Sequence, residues 1–196
     1  VILAVYGWHR YYMVYLYMKH KHEVPVPKGH FDELPVVTIQ LPLFNEMYVV
    51  DRLVDAVCAI DYPREKLEIQ VLDDSTDETC AIAENAVRRH AAAGIDIKYI
   101  HRTDRSGYKA GALEAAMYVA RGNFIAIFDA DFIPEPDFLM ATVHHFTDPK
   151  VAMVQTRWGH LNEDYSLLTK IQAILLDAHF VLEHGSRNRG GCFFNF

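Results

Sequence analysis

Sulfur chemistry, surplus basic charge and uninterrupted apolar length are what this 196-residue chain has least of. Its three cysteines, Cys58, Cys80 and Cys192, show no Cys-x-x-Cys spacing. A disulfide framework is therefore excluded, and the three read as small core residues of a protein kept in a reducing compartment. Lys and Arg number 19 against 26 Asp and Glu, leaving a formal charge of -7. That balance excludes a nucleic-acid surface, which needs clustered cations to meet the phosphates. No apolar run reaches the roughly 20 residues of a bilayer span, because residues 1–18 are interrupted by His9-Arg10. With 51% apolar and 23% charged residues, there is still enough material for one good core.

Both termini look cut. The chain opens on Val1 and closes on Phe194-Asn195-Phe196 with no polar tail, so it reads as a piece of a longer protein. Residues 1–22 join the apolar run to Tyr6, Trp8, Tyr11, Tyr12, Tyr15 and Tyr17, and Lys19, Lys21 and Lys28 follow as a basic flank. Aromatic rings beside a basic, cytosolic flank are the mark of a membrane interface. The expectation is the end of a transmembrane helix running into an interfacial helix. Residues 23–35, which include Val24-Pro25-Val26-Pro27-Lys28-Gly29, cannot be helical and read as a linker. Residues 36–196 are left as the folded domain.

From there strands and helices alternate. Residues 36–43, 67–72, 95–100, 124–128 and 151–155 read as strands. Residues 45–60, 77–92, 108–121, 136–146 and 165–184 read as helices, the first with Val49, Val50, Leu53, Val54 and Val57 on one face. Residues 186–191 read as a loop before a final strand. This order predicts an α/β fold whose mostly parallel, doubly wound sheet carries helices on both faces. One strand commands attention: Phe124-Ile125-Ala126-Ile127-Phe128 is apolar throughout, as if buried on both faces, and stops at Asp129-Ala130-Asp131.

Ligands of open α/β sheets sit outside the carboxyl ends of the strands, and the polar groups of this chain gather there. Asn45-Glu46 follows the first strand, Asp73-Asp74 the second, and Asp129 and Asp131 the fourth. Two carboxylates as close as the last pair repel unless a cation intervenes, and a hard divalent ion bearing substrate phosphates supplies one. The bland alternative is a turn or a helix cap. A carboxylate ending the second strand can accept from the ring N–H of uracil or guanine, and Asp74, nearer the next helix, is preferred to Asp73. Lys109, in the first turn of the third helix, offers a cation beside free backbone N–H groups, which suits a diphosphate. Asp131 would then hold the metal, with Asp129 on the ribose or beside the ion. Trp158 reads either as a sugar-stacking wall or as packing, and Arg102 and Arg105 either as diphosphate contacts or as a solvated loop. His179 and His184 are five residues apart with no third ligand evident, so with Glu183 they read as surface or acceptor-side polar residues; His144-His145 reads as structural.

Taken in order, Val36–Phe44 with Asn45-Glu46, Val71-Leu72-Asp73-Asp74-Ser75-Thr76-Asp77, Gly107-Tyr108-Lys109-Ala110-Gly111-Ala112-Leu113 and Asp129-Ala130-Asp131 resemble the family-two glycosyltransferases of GT-A fold. More narrowly they resemble the membrane-bound processive β-glycan synthases of the cellulose and glucomannan type. The resemblance covers residues 36–196 and implies an inverting, metal-dependent hexosyltransferase. Its donor would be a nucleotide diphosphate sugar, UDP-glucose or GDP-mannose, and its acceptor a growing β-glycan. It implies base recognition by Asp74, diphosphate contact by Lys109 and Mg2+ or Mn2+ on Asp131, with Pro42, Asn45, Glu46, Asp73, Asp129 and Trp158 completing the site. It also implies a multi-pass membrane protein with a cytosolic catalytic domain.

Two parts of the family pattern do not appear. The catalytic base belongs to a Thr-Glu-Asp-type motif that is not in these 196 residues, so the chain alone is expected to bind the donor without elongating glycan. Gln155-Thr156-Arg157-Trp158 is one residue shorter than the family's Gln-x-x-Arg-Trp acceptor motif. Two other readings stay open. A haloacid dehalogenase-like phosphohydrolase also uses an Asp-x-Asp at a strand end, though earlier in the domain and followed by Thr or Val where Phe132 stands here. The second is a non-catalytic nucleotide-binding module.

Overall fold

The computed structural model describes residues 2–192. They fall into two compact bodies, one spanning Pro27–Val151 and the other formed by the residues up to Val26 with those from Ala152 onward.

The first body is built on four parallel strands: β1 Val37–Leu43, β2 Leu67–Asp73, β3 Ile97–His101 and β4 Phe124–Ile127. Their spatial order is β3-β2-β1-β4. The chain thus adds strands outward from β1 and then returns to lay β4 on the other side of it. Between β1 and β4 the winding reverses, and a crevice opens at such a switch point. The helices of this body are α2 Val50–Cys58, α3 Thr79–Ala92, α4 Tyr108–Met117 and the short α5 Phe138–Thr142, which tightens into a 3₁₀ turn over Val143–Thr147.

Strand periodicity decides what each face buries. Val37, Ile39, Leu41 and Leu43 of β1 join Leu67, Ile69 and Val71 of β2 in the main core, with Val50, Leu53, Val54 and Val57 of α2 and Ala83, Ala86 and Val87 of α3. The alternate residues point to the α4 face, and four of them are polar yet buried: Thr38, Gln40, Glu68 and Gln70. Each finds at least one partner, although Gln40 Oε1 and Gln70 Nε2 have none among the described residues. Thr38 donates to Glu68 at 2.7 Å, Lys98 Nζ and the Arg121 backbone N–H donate to Glu68 at 2.6 and 2.8 Å, and Gln40 donates to Gln70 at 3.0 Å. Burial works against ionisation of Glu68, but these donors outweigh it and hold the carboxyl below its usual range.

Pro42 sits in a central strand without penalty. Even-numbered residues of β1 point their backbone polar groups toward β4, as the Phe128 N–H to Gln40 carbonyl bond shows, and β4 pairs no further than Gln40. The missing N–H of Pro42 faces a place where no ladder partner stands.

The second body contains α1 Ile2–His20 and a helical run near the carboxyl end. That run starts as α6 Leu167–Asp177, widens into a π-helical turn over Ala178–His184 and finishes as α7 Gly185–Arg189. Ser166 caps α6, its hydroxyl accepting from the Thr169 N–H while Thr169 accepts from the Ser166 N–H. Glu183 ties the widened turn to α1 through Arg10 at 3.7 Å and to α7 through Arg187 at 3.5 Å. No helix among the described residues is long and apolar enough to cross a membrane.

Several sequence expectations need correction. Residues 151–155 form no strand, since strand propensity is realised only where a neighbour offers a ladder. The helix expected from residue 45 begins at Val50, because Asn45 takes a left-handed φ of 56° and a turn closed by Glu46 precedes the helix. β4 is covered on one face only: α4 lies over β1 and β2, leaving Ile125 and Ile127 exposed. Part of the expected linker is folded, with Phe31 and Leu34 packed on the core and Lys28 paired to Asp148 at 2.7 Å. Residues 185–189 are helical, and the final strand expected after them lies outside the described residues.

Candidate active site at the strand ends

A cavity of about 450 Å³ opens at the β1–β4 switch point. Its walls come from three strand ends and one helix: Pro42, Leu43, Phe44 and Glu46 after β1, Asp74 after β2, Asp129 to Asp131 after β4, and Arg105, Lys109 and Ala112 from α4 and the turn before it. The volume suits a small organic ligand.

The turn before α4 brings the basic groups in. Gly107 and Tyr108 both take left-handed φ values, 72° and 51°. A side chain on Gly111 would put its Cβ 2.1 Å from the Ser106 carbonyl oxygen, so only glycine lets the turn close on the helix this tightly. Lys109 follows directly, and its ammonium pairs with Asp129. Arg105 stacks its guanidinium 3.2 Å from the centre of the Phe44 ring, and its buried Nε has no hydrogen-bond partner among the described residues. An orphaned cationic donor on a cavity wall is what an anionic ligand would satisfy.

On the acidic side, Asp131 is exposed to the cavity and makes no hydrogen bond or ion pair among the described residues. With Asp129 two positions away, it presents hard oxygen donors of the kind Mg2+ and Mn2+ take. These residues fit such an ion, and Arg105 and Lys109 fit the phosphates it would carry.

Asp74 and Asp73 have parted company. Asp74 lines the cavity and is gripped by Arg102, Nε to Oδ1 at 2.8 Å and Nη2 to Oδ2 at 2.6 Å. Asp73 does not line it. It is fully buried on the α3 face, accepting from the Tyr99 hydroxyl at 2.5 Å and the Ser75 N–H at 2.9 Å. Asn45 is also absent from the cavity wall: its N–H donates to Ser75 and its side chain accepts from the Thr76 N–H at 3.0 Å, bracing the β1 loop against the β2 loop. Trp158 belongs to the second body, where its ring lies 5.4 Å from Phe180. The parity of β2 could have separated the two aspartates, since residues 67, 69, 71 and 73 share the core face. No sequence signal exposed the Arg102 fork.

The model of the family described as glycosyl transferase family 2 matches residues 38–190. The chain belongs to that family. It is 43% identical over 169 residues to probable glucomannan 4-beta-mannosyltransferase 7 of Oryza sativa subsp. japonica, covering 84% of this chain and 29% of that protein. It is 45% identical over 167 residues to glucomannan 4-beta-mannosyltransferase 9 of Arabidopsis thaliana, covering 83% and 31%. This family 2 chain therefore spans about a third of the length of the curated relatives it matches. Among solved structures, it matches a mannosyltransferase from Pyrobaculum calidifontis in complex with GDP-Man and Mn2+, with a TM-score of 0.63 at 30% identity over 79% of this chain and 46% of that one. Membership of family 2 sets aside the haloacid dehalogenase reading of Asp129-Ala130-Asp131.

Proposed function

We propose that this chain is the donor-binding part of an inverting, divalent-metal-dependent mannosyltransferase that moves mannose from GDP-mannose to a growing β-glycan. The observation that carries the reading is the convergence of Asp74, Arg105, Lys109, Asp129 and Asp131 on one cavity at the sheet's switch point. Mannose is preferred to glucose because the relatives cited above are named as mannosyltransferases.

In this reading Asp74 accepts from the ring-edge N–H groups of the base, with Arg102 fixing the carboxylate plane. Arg105 and Lys109 approach the diphosphate, Arg105 with its unpaired Nε and Lys109 with an ammonium now neutralised by Asp129. Asp131 would hold Mg2+ or Mn2+, which neutralises charge on the departing diphosphate. The protein's contribution is thus positioning and charge compensation built before the donor arrives. A base for the acceptor hydroxyl lies outside this apparatus, so these residues alone bind donor without making polymer. The exposed rings of Trp8, Tyr11 and Tyr15 on α1, with Lys19 and Lys21 following, support a seat at the cytosolic surface of a membrane.

Calorimetric titration with GDP and with UDP, each with and without Mn2+, tests the donor site. Saturable, Mn2+-dependent binding with GDP tighter than UDP is expected, and no nucleotide binding under any condition would refute the reading.

A further inference from the structure

Behind the strand end that carries Asp74, on the α3 side of the sheet, three side chains with three different donor atoms meet. Asp73 comes from the end of β2, Cys80 from the first turn of α3 and His101 from the end of β3. One oxygen of Asp73, the sulfur of Cys80 and one ring nitrogen of His101 all lie within 4.8 Å of one another. His101 Nδ1 is 3.6 Å from Asp73 Oδ2, and Cys80 Sγ lies 3.2 Å from the Ser75 carbonyl oxygen. The groups grade outward from buried Asp73 through half-buried Cys80 to exposed His101, which leaves a path in from solvent.

The donor set discriminates among cations. Mg2+ and Mn2+ favour oxygen alone, whereas one thiolate, one imidazole and one carboxylate are ligands of Zn2+ and its borderline-soft relatives. Such an ion needs its donors drawn in around it from the 4.8 Å within which they already lie, and Cys80 and His101 are the incompletely buried pair that would move. Burial and the Asp73 charge push the Cys80 thiol up, so it stays protonated while the place holds no cation. Proximity to a divalent ion reverses that balance.

We propose that Asp73, Cys80 and His101 form a second cation site, selective for Zn2+-class ions and distinct from the Mg2+ or Mn2+ position at Asp131. On binding, the Cys80 thiol loses its proton to solvent and its sulfur becomes a ligand. The Tyr99 hydroxyl gives up its bond to the ligating oxygen of Asp73, and the Ser75 carbonyl or a water completes the tetrahedron. The site clamps the ends of β2 and β3 to the start of α3. Asp74 and Arg102, the next residue along each strand, are clamped with them. The proposal does not depend on which nucleotide the cavity binds.

Co2+ is the probe, because thiolate coordination gives it a near-ultraviolet charge-transfer band and tetrahedral coordination gives intense visible bands. The intact 196-residue chain is titrated with Co2+ in excess Mg2+, then with Zn2+ as competitor. The bands are expected to saturate at a single ion per chain, to disappear on Zn2+ addition with release of a proton, and to weaken at least about tenfold in affinity in Cys80→Ser and in His101→Ala. Both substitutions fall on incompletely buried residues, and circular dichroism checks that the variants fold. Absence of the thiolate band in the unaltered chain, or its survival in Cys80→Ser, overturns the proposal. So does a visible spectrum of octahedral cobalt.

Discussion

Arg102 holds Asp74 in a two-pronged grip, Nε and Nη2 each donating to its own carboxylate oxygen, while the same guanidinium donates to the carbonyls of Ser106 and Tyr108. One side chain therefore links the strand end that carries Asp74 to the turn that presents Lys109. Asp74 is nearly buried, its side chain 4% exposed, and the grip keeps the Arg102 guanidinium even more firmly protonated than usual. Removing the fork would leave a near-buried carboxylate without its cation.

Arg102→Ala is accordingly expected to destabilise the fold by about 2 kcal/mol and to weaken nucleotide binding about tenfold. Arg102→Lys should recover little, because an ammonium cannot match the planar fork. Urea denaturation and GDP titration on the same samples check both numbers. Tight nucleotide binding by Arg102→Ala would show that Asp74 needs no such orientation.

Asp131 makes no hydrogen bond or ion pair among the described residues, so its loss should leave the fold alone and, in the proposed reading, remove the ion. Asp131→Asn is expected to keep the melting temperature within error and to lose the Mn2+-dependent part of GDP binding. Chelating Mn2+ from the unaltered chain should reproduce that loss, whereas it should change little further in the variant.

Gly111 tests the turn. A methyl group there meets the backbone oxygen of Ser106, which cannot swing aside as a side chain could. Gly111→Ala should cost about 1–3 kcal/mol and lower GDP affinity together, because Lys109 and Arg105 flank the displaced turn. Stability and affinity that move independently would separate the turn from the site.

Glu68 gives the fold an acid sensitivity. Its folded carboxyl titrates below the unfolded one, so the unfolded chain takes up the proton first as pH falls. The stabilisation is complete above the ordinary glutamate range and fades as pH drops through the folded value. Denaturation midpoints followed from about pH 6 down to about pH 2 should fall less steeply in Glu68→Gln than in the unaltered chain.

Trp8 and Tyr11 stand 76% exposed on α1. If that helix lies on a membrane, replacing both with serine should sharply reduce co-sedimentation with anionic phospholipid vesicles while GDP binding in the other body stays unchanged. Equal sedimentation of both chains would remove the membrane surface from the proposal.

Much of this was legible in the sequence. The alternation of apolar runs and helical periods is a local property, and it carried the parallel α/β fold, the core face of α2 and the existence of β4, which ends at Ile127, one residue before the expected Phe128. Legibility ended where partners had to be chosen. Residues 151–155 have a strand's composition but no ladder neighbour, and β4 looks two-sidedly buried because a sequence does not say how far α4 reaches across the sheet.

By itself the sequence determined the order of elements and which residue types stand at the strand ends, since both follow from spacing along one chain. Only the tertiary structure decided what those residues meet: long-range packing set Asp74 against Arg102 at the cavity, and Asp73 against Tyr99, Cys80 and His101. The physical reason is that direction in a sheet is set by neighbours tens of residues away, here separations of 26 and 28 residues for the Asp73–Tyr99 and Asp74–Arg102 bonds.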